Sequence, residues 1–313
     1  MSAPEPTRLD RNSPFQPATT GNRRLKLFLW GDSGVGKTTL ALRFPSPAVI
    51  DLEGGTEHYG GEFKFEVLKA ANADEVAAAV DWLLTHEHPY RTLVIDPITL
   101  YWDALQSKWT EVFLRRNKGG KGHRGEFYDL QPRDWMTLKA EFKDLVRKLL
   151  RLDMNVIVTA RQKAQYADSG FMRVVGETFD GEKSLPYLFD SILRLYRDET
   201  GRFMAENLKD RSNKLPRGHF EASYGKFETR LGAEALDRAA EPVPVATSEQ
   251  QDRIRHFIAT SGMSSTTVTQ RLAAYGAARL EDLSPENADL IIAKFEHAAA
   301  AKQAAVQDHP VGG

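Results

Sequence analysis

Residues Gly31 to Thr38 read GDSGVGKT, and this octapeptide limits what the chain can fold into more than any other stretch. It fits the spacing G-x-x-x-x-G-K-[ST], in which glycines let the backbone curl until successive N–H groups point inward at phosphate oxygens. Such a cradle needs a buried strand before it and a helix N-terminus behind it, whose partial positive charge favours anions. Both flanks are present. LKLFLW at 25–30 is a short apolar run that predicts a buried strand, and TLALRF at 39–44 predicts a helix that Pro45 and Pro47 stop. Gly31, Asp32, Ser33, Gly34, Val35 and Gly36 form the curl, and Thr39 follows at the helix start. Lys37 is placed to reach the β- and γ-phosphates, and the Thr38 hydroxyl to ligate Mg²⁺. The motif implies a bound nucleoside triphosphate.

The remaining composition narrows the setting. With 313 residues the chain has room for one sizeable core and a small second unit. A net charge of −1 gives no global commitment to nucleic acid or membrane, so any basic surface must be local. The absence of cysteine excludes disulfides and cysteine-based zinc sites. The N-terminus is polar and proline-rich with no apolar signal core, and no stretch approaches membrane-spanning length. A soluble, cytoplasmic protein is expected.

Residues 1–22 hold four prolines and almost no periodicity, which predicts a flexible tail. Apolar runs at 48–52, 92–96, 155–159, 191–196 and 203–208 predict strands, and 73–84 and 135–152 predict helices between them. That alternation predicts an α/β core over 23–232 with a mostly parallel sheet covered on both faces. Residues 233–247 read as a linker. Ser248-Glu249-Gln250-Gln251 reads as a capping box, and Ser284-Pro285 opens a later helix, so 248–300 is expected as a small helical bundle with a disordered tail at 301–313.

A phosphate loop needs a carboxylate for the metal's water shell, commonly at the end of a neighbouring buried strand. Leu93-Val94-Ile95-Asp96 fits, with Asp96 where the strand emerges. Hydrolysis also needs a group to orient or deprotonate water. The second acidic strand end, VIDLEGG, offers Asp51 and Glu53 two residues apart and so on one side of an extended strand; the distal Glu53 is the expected base. His86-Glu87-His88 before Pro89 reads as an exposed loop rather than a metal site.

A phosphate loop, then a strand ending in Asp-x-Glu, then a metal-binding Asp strand, resembles the RecA-like ATPase core. VIDLEGG, TLVIDPITLYWDAL and DMNVIVTARQK are similar to segments of phage-encoded RecA-like recombination ATPases of the single-strand annealing group, over roughly residues 25–215. The resemblance implies ATP and Mg²⁺ as ligands and ATP hydrolysis stimulated by DNA. It implies a polar γ-phosphate sensor after the 155–159 strand, which either Arg161 or Gln162 could supply. It also implies, from the helicase and clock-protein branch of the class, that Lys209 and Arg211 of a K-x-R triplet reach a neighbouring subunit's site. Phe15-Gln16-Pro17-Ala18 has the F-x-x-A form with which some relatives dock on the next subunit.

Two segments suit single-stranded DNA. Residues 115–125 carry Arg115, Arg116, Lys118, Lys121 and Arg124 with no acid, and Phe127 and Tyr128 follow. Mobile cations track phosphates and aromatics stack bases. Residues 163–183 add Tyr166, Phe171 and Arg173, and in the family both positions hold DNA-binding loops. The expected partners are single-stranded DNA, further copies of the chain in a ring or filament, and a single-strand-binding protein, with no membrane. The competing readings are a ring-forming helicase-like or helicase-loading motor, and a phosphate-loop kinase or switch without nucleic acid.

Overall fold

The computed structural model describes residues 23–116, 123–124, 127–167, 173–242, 244–275, 277 and 279–307. The chain begins with β1 (Lys26–Gly31), α1 (Lys37–Leu42), β2 (Pro47–Asp51), β3 (Glu66–Lys69), α2 (Ala73–Thr85), β4 (Thr92–Asp96) and α3 (Ile98–Arg116). A small ribbon of β5 (His123–Arg124) and β6 (Phe127–Tyr128) leads to α4 (Pro132–Arg151) and the long β7 (Asn155–Tyr166). Then come β8 (Val174–Phe179), α5 (Leu185–Leu188), β9 (Ser191–Arg197), β10 (Phe203–Asp210), β11 (Gly218–Glu221), α6 (Tyr224–Leu231) and α7 (Ala233–Asp237). Helices α8 (Ser248–Ser261), α9 (Ser265–Ala274) and α10 (Pro285–Gln307) close the chain.

Across the main sheet the order is β3-β2-β4-β7-β1-β9-β10-β11. Every pair from β3 to β9 is parallel, and β10 and β11 add an antiparallel edge. Parallel strands are buried on both faces, so their side chains sort by alternation into two cores. Phe28, Trp30, Ile95, Val156 and Val158 face α2, α3 and α4. Leu27, Leu29, Val49, Val94 and Ile157 face α1, α6 and α7. The same alternation carries Asp51, Asp96, Thr159 and Arg161, the polar ends of their strands, to the α1 side. Their parallel register brings those ends together at one edge of the sheet.

The covering helices are set by spacing and caps. Val76, Val80, Leu83 and Leu84 make the buried stripe of α2, whose N-cap Asn72 accepts the Glu75 N–H at 3.0 Å. Leu138, Phe142, Leu145 and Leu149 do the same for α4, where the Asp134 carboxylate accepts the Gln131 N–H at 2.8 Å. Below the sheet, the Lys26 ammonium donates to the carbonyls of Leu149, Leu152 and Met154 at 3.0, 2.7 and 2.9 Å, satisfying the end of α4.

Several expectations need correction. The strand expected to end at Thr159 runs to Tyr166, and the loop expected over 163–183 is mostly a hairpin in which β7 pairs antiparallel with β8. Residues expected as a linker open with α7, whose Leu236 is buried in the core, and Arg24 holds the stretch by donating to the carbonyls of Arg238 and Ala239 at 2.8 and 2.6 Å. The cap of α8 is Thr247, with Gln250 as its reciprocal partner, one residue before the expected box. The last helix continues to Gln307, past the expected end at 300; residues 308–313 and the tail 1–22, with Phe15 to Ala18, lie outside the described residues.

Helices α8, α9 and α10 pack around Ile254, Leu272, Leu283 and Ile292. Lys148 of α4, nearly buried, sits 2.7 Å from Asp81 of α2 and 3.8 Å from Asp282. Arg279 pairs with the same two carboxylates, so one ionic cluster ties the bundle to the core.

Candidate functional site

At the C-terminal ends of β1, β2 and β4, and where β7 passes out of the main sheet, a cavity of about 440 Å³ is lined by Lys37, Thr38, Glu53, Asp96, Arg161 and Gln162, among others. Four of the sequence-derived elements therefore converge: the phosphate loop, the expected metal carboxylate, the expected base and both sensor candidates.

The loop geometry requires its glycines. A Cβ at Gly31 would lie 2.3 Å from the Leu195 carbonyl oxygen of neighbouring β9. Gly36 caps α1 at φ +87°, and a Cβ there would meet the Phe203 ring at 2.9 Å. Lys37 Nζ donates to the carbonyls of Gly31 and Asp32 at 2.9 and 2.7 Å, which holds the amine over the loop. Burial pushes the Lys37 ammonium down from its ordinary value, against the pull of Asp96, Asp32 and Glu53.

Thr38 Oγ1 donates to Asp96 Oδ2 at 2.6 Å, and Thr159 donates to the other carboxylate oxygen. Burial pushes the Asp96 carboxyl up, and the two hydroxyls and Lys37 oppose it. A hydroxyl and a carboxylate oxygen, side by side, are the hard oxygen donors that suit Mg²⁺. The residues present fit that ion.

Asp51 has a different task from the one its spacing suggests. Strand β2 ends there, and its Oδ1 accepts the N–H groups of Glu53 and Gly54 at 2.9 and 2.7 Å, while Oδ2 accepts from Thr56. Burial raises the Asp51 carboxyl, but the Thr56 hydroxyl and the N–H groups of Thr56, Gly54 and Glu53 outweigh it and hold it low. Asp51 and Glu53 thus do not share one strand face: the buried Asp51 builds the turn that presents Glu53. Glu53 then accepts from Arg161 Nη2 at 2.7 Å. Arg161 N in turn donates to Thr99 Oγ1 at 3.1 Å, and Thr99 donates to the Asp180 carbonyl at 2.7 Å, fixing the strand where the hairpin begins. Gln162 lines the same cavity.

Lys209 and Arg211 stand elsewhere. Strand β10 runs antiparallel to β9, so its end lies at the opposite edge of the sheet from the phosphate loop. Lys209 Nζ donates to the carbonyls of Pro186 and Phe189, both at 2.6 Å, and Arg211 pairs with Asp190 at 3.3 Å. Of the DNA candidates, Arg115 and Arg116 end α3, where Arg115 pairs with Glu111, and Arg124 lies on β5. Tyr166 and Arg173 flank the hairpin tip, both exposed. Lys118, Lys121 and Phe171 lie outside the described residues. His86 stacks on Trp82 at 5.1 Å, and among the described residues no cluster of three or more histidines and acids could hold a metal.

Three participants escaped sequence reading: Thr159, Thr99 and Arg197, whose guanidinium donates to the Gly34 carbonyl at 3.1 and 2.9 Å. Thr159 was discoverable, because it alternates with Arg161 on β7 and faces the same side as Asp96. No local signal marks the other two.

A phosphate loop joined to a parallel sheet, with one strand inserted between the loop strand and the Asp96 strand, defines a RecA-like P-loop NTPase core. A family model described as an AAA domain matches residues 23–215, and the chain belongs to that AAA-domain family. Comparison with curated proteins finds no match. Among the described residues no helix is long and apolar enough to cross a membrane.

Proposed function

We infer that the chain is a Mg²⁺-dependent ATPase whose hydrolysis is coupled to single-stranded DNA in recombination or annealing. One observation carries this reading: β7 is a single strand that contributes Arg161 to the phosphate cavity and then continues as the hairpin bearing Lys163, Tyr166 and, on its return, Arg173. Helix α3 makes a second such link, starting two residues after Asp96 and ending at Arg115 and Arg116.

The chain's own residues divide the chemistry. Loop N–H groups and Lys37 bind the phosphates, and Lys37 offsets charge that builds on the transferred group. Thr38 and Asp96 would hold Mg²⁺, which neutralises phosphoryl charge when bound. Arg161 fixes the Glu53 carboxylate, which orients a water and takes its proton as the water oxygen bonds to the γ-phosphorus and the bond to the β–γ bridging oxygen breaks. Self-assembly in a ring or filament belongs to the same reading, as does a single-strand-binding protein as a further partner. A motor using Lys209 and Arg211 across a subunit boundary has less support, because both side chains are engaged within their own chain.

Phosphate release measured with and without single-stranded DNA tests the reading. Stimulation is expected, and it should fade as salt rises. Turnover indifferent to DNA, with no DNA binding at low salt, would refute the coupling and leave a nucleotide-driven switch or kinase.

A further inference from the structure

The C-terminal bundle is not filled to its centre. A hollow of about 530 Å³ opens between α8, α9 and α10, within the size range of ligand-holding cavities. Ile254, Leu272 and Ile291, one from each helix, are its buried floor. Ile258, Val268, Tyr275 and Phe295 stand half-buried around it.

The charge at its mouth has one sign. Arg271 of α9 and Lys294 of α10 are exposed there, and among the described residues no acid lines the hollow. Yet the stretch 246–299 is acidic as a whole, with seven Asp and Glu against five Lys and Arg. The other three basic residues, Arg253, Arg255 and Arg279, are each paired with a carboxylate of the bundle. Arg271 and Lys294 have no carboxylate partner among the described residues. Lys294 donates instead to the Tyr275 hydroxyl at 2.7 Å, with its ammonium 5.3 Å from the ring centroid. That contact holds the cation at the mouth and leaves its remaining donors unspent.

We propose that this hollow docks a segment of another protein in which acidic residues flank a large apolar side chain. The apolar group fills the space over Ile254, Leu272 and Ile291, and the acids meet Arg271 and Lys294. The two cations belong to different helices, so a single carboxylate on a fatty chain answers only one of them. A peptide carries acids on both sides of its apolar residue. Single-stranded DNA suits the hollow less, because two cations on an acidic module neutralise few phosphates and the floor is aliphatic. The proposal stands apart from the nucleotide and DNA readings, since the hollow and the phosphate cavity share no residue.

The test selects phage-displayed random peptides on the full chain at low salt. Sequences that combine Asp or Glu with Phe, Leu, Ile or Met are expected to dominate. A synthetic copy of the enriched sequence is then measured by fluorescence anisotropy on the wild type, on the double variant Arg271→Glu with Lys294→Glu, and on Val268→Asp. The double variant should bind it at least about tenfold more weakly, the loss of charge-assisted hydrogen bonds. Val268→Asp places a like charge in the hollow and should weaken it as well; if circular dichroism shows that this variant unfolds the bundle, the double variant, whose two sites are exposed, decides alone. Selection without an acidic and apolar consensus, or a peptide that binds the double variant as tightly as the wild type, overturns the proposal. A matching loss of single-stranded DNA affinity in the double variant also overturns it and makes the hollow a nucleic-acid face. A fall in the mass of the assembled protein overturns it in favour of a contact between copies.

Discussion

Arg161 and Glu53, 108 residues apart in the chain, meet across 2.7 Å in the phosphate cavity. The pair joins the turn after β2 to the point where β7 leaves the sheet. Glu53→Gln should keep ATP affinity within a few-fold and lose turnover by about 10²–10⁴, the usual contribution of a general base. Arg161→Ala should lower turnover as well, since the carboxylate then has no fixed orientation. Equilibrium binding and single-turnover phosphate release, measured side by side, check both. Wild-type turnover in Glu53→Gln would remove the base assignment.

The Thr38–Asp96 contact makes a different demand. Asp96→Asn keeps the shape but loses the charge, so the Mg²⁺ concentration for half-maximal turnover should rise at least about tenfold. Lys37→Ala should instead weaken ATP itself by roughly 10- to 100-fold, the worth of a charge-assisted hydrogen bond, at saturating Mg²⁺. A magnesium titration at several ATP concentrations separates the two effects.

On the hairpin, Tyr166 and Arg173 should fail in distinguishable ways. Arg173→Ala is expected to reduce the slope of log affinity against log salt for single-stranded DNA by about 0.7, one phosphate contact. Tyr166→Ala should lower affinity with the slope unchanged, because stacking releases no counterion. Fluorescence anisotropy over a salt series reads both. Unaltered binding in the double variant would move the DNA site off the hairpin.

Lys26 gives a pH dependence far from the site. Burial pushes its ammonium down to about 7, with Asp153 opposing, Arg24 assisting and Asp190 opposing. The folded value lies below the unfolded 10.5, so between those limits the unfolded chain holds the extra proton and this group's contribution to stability rises with pH. Lys26→Met lacks that slope. The unfolding free energy of the wild type minus that of the variant should therefore grow from neutral to alkaline pH, by at most ~1.4 kcal/mol per unit. Urea unfolding of both proteins at neutral and alkaline pH measures it, and a falling difference would show that the three carbonyls outweigh burial.

What could be read from the sequence was whatever leaves a local mark. GDSGVGKT announces its own geometry, and Leu93-Val94-Ile95-Asp96 announces a buried strand with an acid at its mouth. Strand β3 leaves no such mark: EVLK is exposed at all four positions and is held by backbone bonds to β2. The outer half of β7, RQKAQY, is polar for the same reason, since it pairs with β8 outside the two cores. Asp51 misleads because period-two spacing assumes the strand continues, and its own side chain ends the strand. Thr99 and Arg197 act through partners 62 and 163 residues away, a separation no local pattern records.

The length of β7 has a mechanical consequence. Its inner half lies between β1 and β4, bonded along both edges, and its outer half is the hairpin. A pull along the strand from the hairpin end is borne in shear by both rows of backbone bonds together, rather than by peeling them one at a time. The strand is a stiff rod anchored beside the phosphate loop, with Arg161 at the point where it leaves its mount. A displacement of the strand along its axis would carry Arg161 with it, and Arg161 is the group that holds the Glu53 carboxylate.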